Sequence, residues 1–313
     1  MDSVGLVGLG KMGSGIAENL LKAGYLKAVY KRTIDDEVKA LEKKGVYIAK
    51  SPEDLASKVD YVFLSIPNEA VEDVVFGRNG LVKGLKPKGI VVDTGNCDPR
   101  QSMRIYEKLK KRGVSFLDAG VSGGPERASK GTLAVWMGGD KEAYDKLLKI
   151  LNAIGKPQYL GQSGNGHKVK MLHNLLEQEE MQAIAEVANL AVNLNLDPKK
   201  VFKTIREGLV QSHLGDLYIN IPENEISTRE TNVEGGDYPR MALEISKDEP
   251  LVDGAVSYWM RLISRASKEE RGKIIEETIE AIGNELRKLK NDKKFKYGFQ
   301  TLGALRRAFG GHK

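Results

Sequence analysis

SVGLVGLGKMG, residues 3–13, decides the fold of this chain. Ser3 to Leu9 is an apolar run that reads as a short strand. Gly8, Gly10 and Gly13 then supply the spacing GxGxxG, and Ser14 to Ala23 has helical periodicity that closes at Gly24. This order gives a tight turn, a close approach of backbone to a pyrophosphate, and a helix N-terminus aimed at its charge. The glycines alone would be a weak signal. Their position between a strand and a helix, with a second strand at Leu26 to Tyr30, is the context that gives them meaning. The expected dinucleotide contacts are Gly8, Leu9, Gly10, Lys11, Met12 and Gly13, joined by Ile66, Pro67 and Asn96 from later strand ends.

The end of the second strand bears on which dinucleotide. A ribose 2′-hydroxyl is normally held by an Asp or Glu about 20 residues after the glycines. Here that place reads Tyr30, Lys31, Arg32, Thr33. Two cations where an anion is usual predict a 2′-phosphate and therefore NADP. Arg32 would stack on the adenine or pair with the phosphate, Lys31 would add a point charge, and Thr33 a hydroxyl donor. Asp35 and Asp36 follow closely and keep NAD open as the alternative.

Strand and helix patterns alternate as far as about residue 160. Further strands are expected at Val59 to Ile66, Gly89 to Gly95, Ser115 to Val121, Leu133 to Met137 and Gln158 to Leu160. Helices are expected at Pro52 to Ser57, Asn68 to Val75, Arg100 to Arg112 and Lys141 to Ile154. Such alternation predicts an α/β fold, a Rossmann-type doubly wound and mostly parallel sheet, followed by an all-α C-terminal domain. In that second part Asp197 and Pro198 read as an N-cap and first helical residue. Ser267 with Glu270 makes a capping box before a long amphipathic helix. The expected division is a dinucleotide-binding domain over 1–163, a helical domain over 164–294, and a tail over 295–313. In open α/β sheets ligands lie beyond the carboxyl ends of the strands. That condition selects three loops: Ser65 to Asn68, Thr94 to Asn96, and Gly120 to Pro125, the last offering the Ser122 hydroxyl and the amides of Gly123 and Gly124 to a carboxylate.

Composition narrows the class. At 313 residues the chain exceeds one ordinary domain. Cys97 is its only cysteine, so no intrachain disulfide can form, and no apolar run has the length of a membrane span. A soluble cytoplasmic protein is expected. The 49 basic and 43 acidic residues leave a net charge of +6. With 6% aromatics and cations scattered among acids, the excess suits a polyanionic cofactor and an anionic substrate better than nucleic acid. Four histidines without HxxxH or CxxC spacing predict no metal site.

The second informative stretch is GNGHKVKMLHNLLE, Gly164 to Glu177. At roughly 100° per residue, Lys170, Asn174 and Glu177 fall on one side of a helix. Val169, Leu172, Leu175 and Leu176 fall on the other. A lysine, an amide and a carboxylate on one face would read as solvated surface in an arbitrary helix. Beside a dinucleotide fingerprint they read as a working face, with Lys170, Asn174 and Glu177 as candidate catalytic residues.

Together these motifs resemble the β-hydroxyacid dehydrogenase superfamily. GLGKMG at 8–13, TGN at 94–96, GVSGG at 120–124, GNGHKVKMLHN at 164–174 and RRAFGGH at 306–312 carry the likeness nearly end to end. His167, the KMLHN run and the tail are most similar to the short form of decarboxylating 6-phosphogluconate dehydrogenases. That resemblance implies NADP-dependent oxidative decarboxylation of 6-phosphogluconate to ribulose 5-phosphate and CO2, a step of the pentose phosphate pathway. It assigns Lys170 as general base and Glu177 as the acid protonating the resulting enediol. Asn96, Ser122, Gly123, Gly124, His173 and Asn174 would hold the substrate, a small anionic sugar acid, and Arg261 and Arg306 its phosphate. It further implies a homodimer, with Arg306 and His312 reaching the neighbouring subunit's site.

The chain also departs from that branch. The tyrosine expected after the catalytic glutamate is Gln178, and the segment GGDYPRMALEISKDEP at 235–250 resembles 3-hydroxyisobutyrate-type enzymes. In those, a pair such as Lys247 and Asp248 helps bind a small carboxylate. The alternative is therefore a non-decarboxylating NADP-dependent dehydrogenase or reductase of a small 3-hydroxy acid or aldehyde.

Overall fold

The computed structural model describes residues 2–95, 98–208, 211–212 and 216. Arg261, Arg306, His312, Lys247, Asp248, the Ser267–Glu270 capping box, the tail and most of the expected 164–294 domain lie outside them, as do Asn96 and Cys97. Two compact units divide the chain between His173 and Asn174.

The first unit grows from β1 (Val4–Val7), every residue of which is buried. It is followed by α1 (Lys11–Lys22) and β2 (Leu26–Tyr30). Asp35 then caps α2 (Asp36–Lys43) by accepting the Val38 amide at 3.1 Å, and a two-residue β3 (Tyr47–Ile48) follows. Ser51 accepts the Asp54 amide at 3.0 Å and starts α3 (Pro52–Lys58), with proline in the first turn where its missing N–H costs nothing. The alternation continues through β4 (Tyr61–Leu64), α4 (Asn68–Phe76), β5 (Ile90–Asp93) and α5 (Pro99–Lys110). Then come β6 (Ser115–Ser122), α6 (Gly124–Ser129), β7 (Leu133–Gly139), α7 (Lys141–Ile154) and β8 (Gly155–Tyr159).

These strands form one sheet in the order β3-β2-β1-β4-β5-β6-β7-β8. The strands from β3 to β6 pair in parallel, β7 runs antiparallel to β6, and β8 is parallel to β7. The expected Rossmann-type doubly wound sheet is thus what the sequence folds into. Burial on both faces follows from strand alternation. Leu6, Phe63, Val92 and Leu117 enter one core, whereas Val7, Leu64, Val91 and Phe116 enter the other.

A long helix, α8 (Asn165–Asn193), begins in the first unit and continues into the second. There α9 (Pro198–Ile205) starts at Asp197, whose carboxylate accepts the Lys199 and Lys200 amides at 2.9 and 3.3 Å. No helix among the described residues is long and apolar enough to cross a membrane.

Candidate active site

The strand order reverses direction between β1 and β4, which is where a doubly wound sheet opens a crevice. A cleft of about 570 Å³ lies there, lined by Gly8, Leu9 and Gly10 after β1 and by Ser65, Ile66 and Pro67 after β4. Gly8 has φ +96°, and a Cβ on it would lie 2.3 Å from the Ser65 carbonyl oxygen, so this turn requires glycine. A Cβ on Gly13 would lie 2.2 Å from the Gly8 carbonyl, which fixes the close seat of α1 under the turn. Gly10 differs: a Cβ there would meet nothing within 4 Å. Gly10 also caps α1 without any side-chain hydrogen bond, and the first turn holds no acid. Open space before uncapped amides fits a dinucleotide pyrophosphate. Of the other expected contacts, Lys11 is exposed on the first turn, while Met12 packs against the core and is turned from the cleft lining.

Lys31, Arg32 and Thr33, which follow β2, line the same cleft. Lys31 is not an unengaged point charge. It forms ion pairs with Asp35 and, at 3.4 Å, with Glu37. Its hydrogen bond to Asp35 raises its pKa above the ordinary lysine value, and the same bond draws Asp35 below the usual carboxylate range. Asp35 is thereby occupied by Lys31 and by the α2 cap. Arg32 is exposed and makes no ion pair among the described residues. The cleft also takes in Lys50, Ser51, Arg78 and Asn79, which motif reading missed. They follow β3 and α4, and nothing in their linear context marks them.

A second cluster lies at the carboxyl end of β6. The Ser122 hydroxyl is 3.1 Å from His173 Nε2, and the Trp136 and His173 rings lie 5.1 Å apart, so the imidazole is held between β6 and β7. Gly123 and Gly124 follow directly, at the start of α6. Lys170 stands one turn before Asn174 on α8. Asn174 is buried, and Lys170, His173 and Glu177 are half-buried. On the opposite, apolar face of α8, Leu172 and Leu176 are exposed.

What seats α8 is Asp118, fully buried on β6. Its two carboxylate oxygens accept the Gly164 amide at 2.6 Å and the His167 amide at 3.0 Å. His167 Nδ1 lies 2.7 Å from the Ser102 hydroxyl, which ties the same turn to α5. Glycine lets the helix close on the strand: a Cβ on Gly120 would lie 2.6 Å from Lys170 Cβ and 2.7 Å from the Gly166 carbonyl. No group of His, Cys, Asp or Glu among the described residues could hold a metal ion.

Residues 3–172 match the family described as the NAD binding domain of 6-phosphogluconate dehydrogenase. The chain is 32% identical over 216 residues to a probable 3-hydroxyisobutyrate dehydrogenase-like 3, mitochondrial, of Arabidopsis thaliana, covering 69% of this chain and 68% of that protein. The chain belongs to the β-hydroxyacid dehydrogenase superfamily. The mitochondrial 3-hydroxyisobutyrate dehydrogenase of Homo sapiens is also 32% identical, over 222 residues, covering 70% of this chain and 66% of that protein. The match thus spans about two thirds of these relatives' length. Among solved structures, the Mycobacterium tuberculosis 3-hydroxyisobutyrate dehydrogenase with L-serine superposes with a TM-score of 0.68 at 21% identity, over 82% of this chain and 91% of that one. A protein named Psf3, in complex with NADP+ and 2-OPP, gives 0.67 at 25% identity, over 80% and 88%.

These relatives overturn one expectation. Oxidative decarboxylation of 6-phosphogluconate, and with it the pentose phosphate assignment, gives way because these relatives at 32% identity are named as 3-hydroxyisobutyrate dehydrogenases. The likeness to the decarboxylating branch rested on His167, the KMLHN run and the RRAFGGH tail, whereas Gln178 and the segment at 235–250 are the residues that depart from it.

Proposed function

We propose that this chain is a non-decarboxylating dehydrogenase or reductase that moves hydride between a nicotinamide cofactor, NADP in preference to NAD, and a small 3-hydroxy acid or its aldehyde. The observation that carries this reading is the 32% identity to proteins named as 3-hydroxyisobutyrate dehydrogenases, over 216 to 222 residues. NADP is favoured by Arg32 and Thr33 at the cleft and by the NADP+ in the complex at 25% identity.

When bound, the nicotinamide supplies the hydride acceptor. Lys170 would take the proton from the substrate hydroxyl, or return it in the reductive direction. Asn174, one turn further on, would orient that hydroxyl. The Ser122 hydroxyl, held by His173, and the amides of Gly123 and Gly124 would receive the carboxylate, with Asn96 as a further candidate from the sequence. Glu177, whose expected task was to protonate a carbon left by loss of CO2, has no such step to serve. A homodimer is part of the proposal, supported by the exposed Leu172 and Leu176 on α8.

The test is NADPH formation by the purified protein with 3-hydroxyisobutyrate and a panel of short 3-hydroxy acids, run beside NAD, and NADPH oxidation with the matching aldehydes. Turnover faster with NADP on at least one member is expected. Failure with every acid and aldehyde would sink the substrate class, and faster turnover with NAD would sink the cofactor preference.

A further inference from the structure

Four cations, Lys31, Arg32, Lys50 and Arg78, line one cleft from three separate segments. Topology brings them together. β3 pairs in parallel with β2, so the residues that leave its carboxyl end, Ala49 to Ser51, stand beside Lys31 to Thr33 at the end of β2. Arg78 arrives from behind α4: the Glu53 amide donates to the Asn79 carbonyl at 2.9 Å, which ties the Arg78–Asn79 turn to the start of α3 just after Lys50. Their charges are not equally engaged. Lys31 is bound by Asp35 and Glu37, whereas Arg32, Lys50 and Arg78 are exposed and none has an ion-pair partner among the described residues. Asp54 accepts the Lys50 backbone amide at 2.9 Å and feels the Lys50 charge, but its oxygens are shared with the Tyr47 hydroxyl. Asp73 also borders the cleft. The balance of side-chain charge in the cleft is still cationic, while the glycine turn offers its uncapped amides without any side-chain charge.

We propose that Lys50 and Arg78, with Arg32, form the 2′-phosphate pocket of the cofactor cleft, and that Lys31 instead braces the loop that presents Arg32. This rests on the NADP reading above and extends it to two residues outside the β2 end. A dianion held by separate cations from β2, the β3–α3 junction and the α4 turn would be recognised by placement as well as by charge. The contribution of Lys50 and Arg78 is then specific to the 2′-phosphate and absent for a bare ribose.

The experiment is equilibrium binding by fluorescence and calorimetry, without turnover, using NADPH, NADH, 2′,5′-ADP and 5′-AMP on the full chain. Lys50→Ala and Arg78→Ala should each weaken NADPH and 2′,5′-ADP about tenfold while leaving NADH and 5′-AMP within about twofold. Lys50→Arg and Arg78→Lys should restore most of the loss, and added salt should erode the wild-type preference. If wild type prefers NADPH but both alanine variants keep that preference, the pocket is Arg32 and Thr33 alone and this inference is wrong. If wild type binds 5′-AMP as tightly as 2′,5′-ADP, the NADP reading fails with it. Equal losses for NADPH and NADH would mean that the two residues serve the adenine or the fold, which also overturns the assignment.

Discussion

Lys170 carries the sharpest consequence at the scale of single residues. Its stem lies against Gly120, so shortening or neutralising its end leaves the helix seat intact. Lys170→Met should lower kcat on a 3-hydroxy acid by about 10²- to 10⁴-fold, the usual worth of a positioned general base, while NADPH affinity stays within about twofold. Steady-state kinetics with a parallel fluorescence titration reads both, and near-normal turnover would remove Lys170 from proton transfer. Much at this scale was legible in the sequence. Gly8 and Gly13 are demanded by contacts that the GxGxxG spacing already implies, and Lys170 and Asn174 stand on one helix face because the period of an α-helix puts them there. What sequence could not reveal was engagement. Lys31 reads as a ligand on paper, and only the fold brings Asp35 and Glu37 onto it. Lys50 and Arg78 escaped notice because their proximity is a property of strand order, not of any local motif.

Between elements, the contact that matters most is the Asp118 carboxylate at the start of α8. Replacing it with alanine strips two buried amides, those of Gly164 and His167, of their acceptors. At about 1–3 kcal/mol for each orphaned donor, Asp118→Ala should destabilise the protein by about 3 kcal/mol or more. Asp118→Asn, which keeps one acceptor oxygen, should fall between it and wild type. Urea unfolding measures this, and an unchanged midpoint in the alanine variant would show that α8 is seated by other means. Most elements were visible in the pattern: β2 and α7 have the expected ends, and the others shift by a few residues. Three were not. α2 buries only Val38 and Leu41, β3 is two residues long, and α6 begins inside a glycine turn that reads as loop. Each is too short, or too polar, for periodicity to register.

For the whole molecule, cofactor binding and stability are one equilibrium. A ligand that binds only the folded state adds about 2.7 kcal/mol at a hundred times its Kd, which for a unit of this size is a rise of about 5–10 °C. NADPH should therefore raise the melting transition more than NADH at equal concentration, measured by calorimetry. Equal shifts would argue against a 2′-phosphate pocket anywhere in the chain. The fold class was legible because alternation of strand and helix repeats over some 160 residues and tolerates local error. The chemistry was less so, since one fold serves many reactions and the two branches differ in this chain by a few residues such as His167, Gln178 and the tail. The Gly120 seam has a bearing on descent. Where β6 meets α8, strand backbone abuts the stem of Lys170 and the Gly166 carbonyl with no side chain between them, so there is little for drift to alter short of losing the glycine itself. A lineage founded on such a seam can exchange one substrate for another through its remaining segments and still pass on the lysine's position unchanged.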